Sequence, residues 1–124
     1  MSDAGTATFN HDIKLGDNGK AIFGAGSDLQ IYHDGGNSFI DDAGTGNLFI
    51  RSNLVQIRKY TGEDMITALE DGAVTLYHNG SAKLATNSGG VTVTGTAILG
   101  GASFVDNATA FFGTDLDLRI FHDG

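Results

Sequence analysis

Residues 21–35 read AIFGAGSDLQIYHDG, and residues 110–124 read AFFGTDLDLRIFHDG. The two align without a gap at an offset of 110 − 21 = 89 residues, and nine of fifteen positions are identical, among them Asp28, Leu29, Ile31, His33, Asp34 and Gly35. Ahead of them Asp17-Asn18 returns as Asp106-Asn107. Self-similarity at a long fixed period marks units that cannot each bury an apolar face alone. A fainter echo divides that period. VTLYHNG at 74–80 follows LQIYHDG at 29–35 by 77 − 32 = 45 residues, and GTGNLFI at 44–50 is answered, after a one-residue slip, by GGVTVTG at 89–95. The organisation read from this is a lead-in over 1–19, one long repeat over 20–109 made of two half-repeats of about 45 residues, and the start of the next repeat over 110–124.

Within the repeats, Leu29 and Ile31 alternate with Gln30 and Tyr32, and Val91 and Val93 with Thr92 and Thr94. A period of two is that of a half-buried strand. By the same pattern short strands are expected near 13–15, 21–23, 38–40, 47–51, 55–58, 66–69, 73–78, 97–99, 103–105 and 110–112. Between them lie Asp17-Asn18-Gly19, Asp34-Gly35-Gly36-Asn37, Asp71-Gly72 and Asn79-Gly80, residues that tolerate the positive φ of tight turns. The best helix candidate, 61–70, is interrupted by Gly62 and has no clear apolar face. The predicted class is all-β.

Composition narrows the function. Glycine supplies 19 of 124 residues, while proline, cysteine and tryptophan are absent. Without cysteine there are no disulfides, thiolate metal sites or cysteine nucleophiles. Fifteen acidic residues against seven basic ones give a net charge of −8, which disfavours nucleic acid, because neutralising phosphates needs clustered Lys and Arg. The start of the chain lacks the basic and apolar runs of a signal peptide, and no stretch approaches the ~18 apolar residues of a membrane span. No membrane insertion is expected.

Strands this short carry one to three apolar side chains each and leave unpaired edges. Stacking or association must supply the missing cover. The final residues open a new repeat and stop, which predicts either a longer parent chain or an end that pairs with a neighbour.

Two phrases carry a family likeness: LQIYHDGGNSFIDDAGTGNLFIRS at 29–52 and GEDMITALEDGAVTLYHNGSAKLATNSGGVTVTG at 62–95. They resemble the repeat of large structural proteins of tailed bacteriophages, especially those of marine bacteria. The likeness runs from about residue 20 to 98 and resumes at Ala110. It implies a short-stranded fibre architecture, a β-solenoid or β-prism-like shaft, in an intertwined homotrimer. It also implies a place in the virion, after synthesis in the host cytoplasm without export, and a structural role that can extend to host attachment. A head-to-tail filament is the alternative assembly.

The recurring Tyr/Phe-His-Asp/Asn motif is the main candidate for chemistry. Three imidazoles from a trimer, at His33, His78 or His122, could converge on an axial metal ion. The preferred reading is a local turn role beside Asp34, Asn79 or Asp123, with no metal. Tyr32, Tyr77 and Phe121 could stack on sugar rings, but aromatics at repeating positions more often form ladders between units. If the segment meets a host surface glycan, the residues to do so are Tyr32, His33, Asp34, Tyr77, His78, Phe121, His122 and Asp123. The acidic turns expected at Asp41-Asp42 and Asp17-Asn18-Gly19 lack the spaced oxygens of a calcium loop. A depolymerase would need a carboxylate pair such as Glu63 with Asp64 or Glu70 with Asp71, but adjacent acids on a strand point apart. No enzyme activity and no cofactor are expected. Three classes remain: a structural fibre segment, a glycan-binding module and a polysaccharide depolymerase.

Overall fold

In a computed structural model of the chain, which describes residues 5–122, the fold is all-β. Ten strands follow in chain order: β1 Lys20–Phe23, β2 Leu29–His33, β3 Ser38–Asp42, β4 Leu54–Arg58, β5 Asp64–Leu69, β6 Val74–His78, β7 Ser81–Asn87, β8 Gly90–Val93, β9 Thr109–Phe112 and β10 Leu118–Phe121. The chain divides into two units, one up to Arg51 and one from Ser52 onward. The first holds the antiparallel sheet β1-β2-β3; the second holds the five-stranded sheet β4-β5-β6-β7-β8 and the hairpin β9-β10.

The 89-residue repeat is repeated in geometry. β1 and β2 pair Phe23 with Leu29 and Ala21 with Ile31; β9 and β10 pair Phe112 with Leu118 and Ala110 with Ile120. The turns match as well. Asn18, Gly24 and Ser27 have φ of 64°, 88° and 60°, and Asn107, Gly113 and Leu116, each 89 positions on (107 − 18 = 89), have 64°, 87° and 56°. Gly24 is required twice over, because a side chain there would take a left-handed φ and its Cβ would overlap the Asp28 carboxylate. Gly113 stands in the same relation to Asp117.

The 45-residue echo also has a geometric counterpart. Ala21–Ile31, Ile22–Gln30 and Phe23–Leu29 on β1 and β2 correspond to Ile66–Leu76, Thr67–Thr75 and Ala68–Val74 on β5 and β6. The hairpins that follow differ. β2 and β3 close with His33 opposite Ser38, around Asp34 to Asn37, whereas β6 and β7 close with His78 opposite Ser81, around the two left-handed residues Asn79 and Gly80.

Several strands expected from alternation are absent. Residues 13–15, 47–51, 97–99 and 103–105 join no ladder. Their periodicity is real, but a strand exists only where a partner accepts its hydrogen bonds. Conversely β7, SAKLATN, was not anticipated. With Leu84 its one large apolar residue, it owes its place to the Asn79-Gly80 turn. The helix candidate over 61–70 forms strand β5, and Asp41-Asp42 ends strand β3 rather than forming a turn.

No described residue is buried. Within each unit, every strand touches only its hydrogen-bonded neighbours, so the sheets are single layers. The chain exposes 10865 Å². A compact monomer of this mass would expose about 6,300 Å², and two separate compact bodies of half the mass about 7,600 Å² together.

Candidate functional site

The two larger sheets are each two-faced. In the five-stranded sheet the register lines up Ile57, Ile66, Leu76, Leu84 and Val93 across all five strands, and beside that row Val55, Ala68, Val74, Thr86 and Val91. The opposite face carries Gln56, Thr67, Thr75, Ala85 and Thr92. Period-two alternation sends the apolar set to one side. Nothing within the unit covers it: Ile57 is 51% exposed, Leu76 40% and Val93 46%. In the three-stranded sheet one face presents Ala21, Phe23, Leu29, Ile31 and Ile40, with Asp42 beside Leu29 and the His33–Ser38 pair at its end. Phe23, Ile31 and Ile40 on it are exposed. The hairpin β9-β10 has the same apolar side, where Ala110, Phe112 and Ile120 meet Phe104 and Val105 around an open cavity of about 560 Å³.

The other face of the three-stranded sheet holds the tyrosine of the Tyr-His motif, while His33, two positions on from Ile31, lies on the apolar side at its end. The register sets Lys20 on one side of Tyr32 and Phe39 on the other. The Phe39 ring stacks on Tyr32 at 4.8 Å between centroids, and Lys20 Nζ lies 4.2 Å from the Tyr32 centroid. The Tyr32 hydroxyl donates to Asp41 Oδ2 at 2.9 Å, and Lys20 Nζ donates to Gln30 Oε1 at 2.7 Å. That bond to Asp41 is the main reason the Tyr32 phenol is raised above its ordinary pKa, with loss of solvent and the charges of Asp41 and Asp34 adding to it.

His33 is exposed, with Nδ1 3.2 Å from Ser38 Oγ. Asp34 shapes the next turn by accepting from the backbone N–H of Asn37 at 2.7 Å and of Gly36 at 2.8 Å. Those two bonds, with the nearby His33, hold its carboxyl below the ordinary value.

The other copies of the motif are built differently. Tyr77 is half-buried, with its hydroxyl 3.3 Å from Thr67 Oγ1, and His78 is exposed at the turn. Phe121 is 54% exposed, with the Arg119 guanidinium 5.3 Å from its ring centre. The carbonyl of His122 accepts from Asn107 N–H, as that of His33 accepts from Asn18 N–H. Asp123 lies outside the described residues.

The site residues named from sequence therefore gather as three separate strand ends. Among the described residues, no three His, Asp or Glu side chains come together as a metal-binding group. Of the carboxylates considered for hydrolysis, the first pair is engaged with cations: Asp64 Oδ1 with Arg58 Nε at 2.8 Å, Glu63 Oε2 with Lys59 Nζ at 3.9 Å. Sequence reasoning missed Lys20, Phe39 and Asp41 as partners of Tyr32. Their place depends on cross-strand register, which a linear motif does not carry.

No helix among the described residues is long and apolar enough to cross a membrane. In comparisons with protein-family models, curated proteins and solved structures, the chain matches none.

Proposed function

We propose that the chain is a structural, self-associating segment of a bacteriophage tail fibre or appendage, in which three copies share a β-rich shaft. The observation that carries this reading is the uncovered apolar row Ile57–Ile66–Leu76–Leu84–Val93 on a sheet with no second layer. A sheet hydrophobic on one face must bury that face against another element. Here the element is another copy. The extended segments that join no ladder add to the argument, because Phe49, Ile50, Ile98 and Val105 are exposed at 69%, 69%, 94% and 81%. Such segments pair readily with other chains.

The number three and the virion location follow from the sequence resemblance to phage fibre repeats, as does synthesis in the host cytoplasm. Antiparallel meanders fit the faces of a β-prism; a β-solenoid would join its coils by parallel ladders. Host attachment is an extension of this role, with a surface glycan as ligand.

Light scattering coupled to size exclusion at micromolar concentration tests the reading, with about three chains expected, or a larger head-to-tail assembly. A folded, monodisperse monomer would refute association and favour a small glycan-binding module.

A further inference from the structure

The two half-repeats differ at one edge. In the second, the stretch that answers residues 44–50 contains β8, which closes the sheet by pairing with β7. In the first, β3 stands in the place of β7, and its outer edge carries no strand among the described residues. The residues with the right pattern for that place, NLFIR at 47–51, join no ladder. Leu48, Phe49 and Ile50 on them are 45%, 69% and 69% exposed.

The connection explains why this segment does not return along its own β3. β7 and β8 are joined by a tight turn in which Asn87 faces Gly90 and the Gly89 N–H donates to Asn87 Oδ1 at 2.8 Å. After β3 the chain is held on the β2 side instead. The Ala43 N–H donates to the Asp28 carbonyl at 2.7 Å, and a Cβ on Gly44 would lie 3.1 Å from that of Asp28. The chain thus leaves β3 on the side away from the open edge.

We propose that residues 47–51 form a strand that pairs antiparallel with the open edge of β3 in a second copy of this chain. The inference deepens the self-association proposed above and rests on it, whatever the number of copies. The faces set the register. In a strand, Leu48 and Ile50 project to one side and Asn47, Phe49 and Arg51 to the other. The Arg51 guanidinium, 5.2 Å from the Phe49 ring centre, is already on the Phe49 side. On β3, Ile40 belongs to the apolar face, and Phe39 and Asp41 to the face of Tyr32. Setting Phe49 opposite Phe39 therefore puts Leu48 opposite Ile40 and Asn47 opposite Asp41.

Each pair supplies something the edge lacks. Tyr32 lies between Lys20 on β1 and Phe39 on β3, and its ring stacks on that of Phe39, which has no strand beyond it. Phe49 extends this ladder by one ring. Leu48 gives an apolar neighbour to Ile40, which is 61% exposed. Asn47 brings an amide donor to Asp41, whose Oδ2 accepts from Tyr32.

The main chain fits as well. Because Ala43 bonds to β2, alternation turns Asp41 and Phe39 the same way and leaves the N–H and C=O groups of Ser38, Ile40 and Asp42 facing the incoming strand. Those bonds supply affinity, and the alternate side chains fix the register. A slip of one residue would send Phe49 to the apolar face. A slip of two keeps the faces but sets Phe49 opposite Asp41 and Leu48 opposite Asp42, or, the other way, leaves Ile40 facing Gly46.

The chain has no cysteine, so introduced ones report position directly. Opposed residues of antiparallel strands lie within disulfide range. The test mixes two full-length chains with one cysteine each, Asp41→Cys with Asn47→Cys or Ser38→Cys with Ile50→Cys, and oxidises them. Both mixtures should give the mixed disulfide dimer, and the second leaves the Tyr32–Asp41 bond untouched. The dimer should be lost for Asp41→Cys with Leu48→Cys, whose side chains project from opposite faces, and lost again when Phe49→Asp is added to the Asn47→Cys chain. Absence of the mixed dimer in both mixtures, or equal cross-linking of the mismatched pair, would overturn the proposal. So would closure of a single chain carrying both Asp41→Cys and Asn47→Cys as a monomer. A trimeric mass by light scattering without the mixed dimer would refute the donated strand and leave the shaft reading standing, whereas a monomeric mass would refute both.

Discussion

Replacing Leu76 by glutamine keeps side-chain volume nearly constant and changes only polarity, at the centre of the five-stranded sheet. Leu76 is flanked by Ile66 and Leu84 in the apolar row and retains 40% of its exposure in the single chain. Complete burial of a leucine contributes about 1.5–3 kcal/mol, so covering the remaining fraction is worth about 1 kcal/mol per chain. In the proposed trimer three copies would lose about 3 kcal/mol together, or about two orders of magnitude in the association constant. That is a lower bound. An amide taken from water without a partner adds about 1–3 kcal/mol at each copy. The control is Thr75→Gln, one residue away on the polar face between Thr67 and Ala85. Sedimentation velocity across a concentration series should show Leu76→Gln dissociating at concentrations where the wild type and Thr75→Gln remain assembled. If Leu76→Gln assembled like the wild type, or if Thr75→Gln were equally disruptive, the apolar row would not be the interface.

Gly24→Ala and Gly113→Ala should each destabilise their hairpin by about 1–2 kcal/mol, because alanine resists the left-handed backbone, while Gly46→Ala, with open space and no positive φ, should be silent. Hydrogen exchange at β2 and β10 reads the two hairpins separately, and unchanged protection in either variant would contradict the turn assignment. With Tyr60 and Tyr77 replaced by phenylalanine, phenolate absorbance should show Tyr32 titrating above its ordinary value of 10.0, and Asp41→Ala should return it toward that value. Because the folded pKa is raised, the stability Tyr32 contributes is fully present below pH 10.0 and is lost as pH rises through the folded value. An unshifted midpoint would mean that the Tyr32–Asp41 bond does not persist in solution.

The all-β class was legible because Leu29-Gln30-Ile31-Tyr32 alternates cleanly and Asn79-Gly80 is a turn by chemistry alone. The repeat was legible as well, and so was the turn at Asn18, but the left-handed positions Gly24 and Ser27 and their counterparts Gly113 and Leu116 were not. What escaped was anything set by a partner. Asn47 to Arg51 alternates as convincingly as β8 yet joins no ladder, whereas the weakly apolar β7 is recruited by its neighbours β6 and β8. The recurring histidines were visible as a motif. That Phe39 and Asp41 complete the environment of Tyr32 became apparent only with the cross-strand register.

Each strand meets only the strands next to it in sequence, and the same hairpin recurs with its turns intact. Duplicating or deleting a strand–turn–strand segment in such a chain disturbs one junction and leaves every other pairing as it was. Selection can therefore adjust the length of the chain by copying segments, while substitutions at exposed turns accumulate separately. The exchange of Gln30 for Arg119 and of Tyr32 for Phe121 between the otherwise matching strands β2 and β10 is the kind of divergence that history leaves behind.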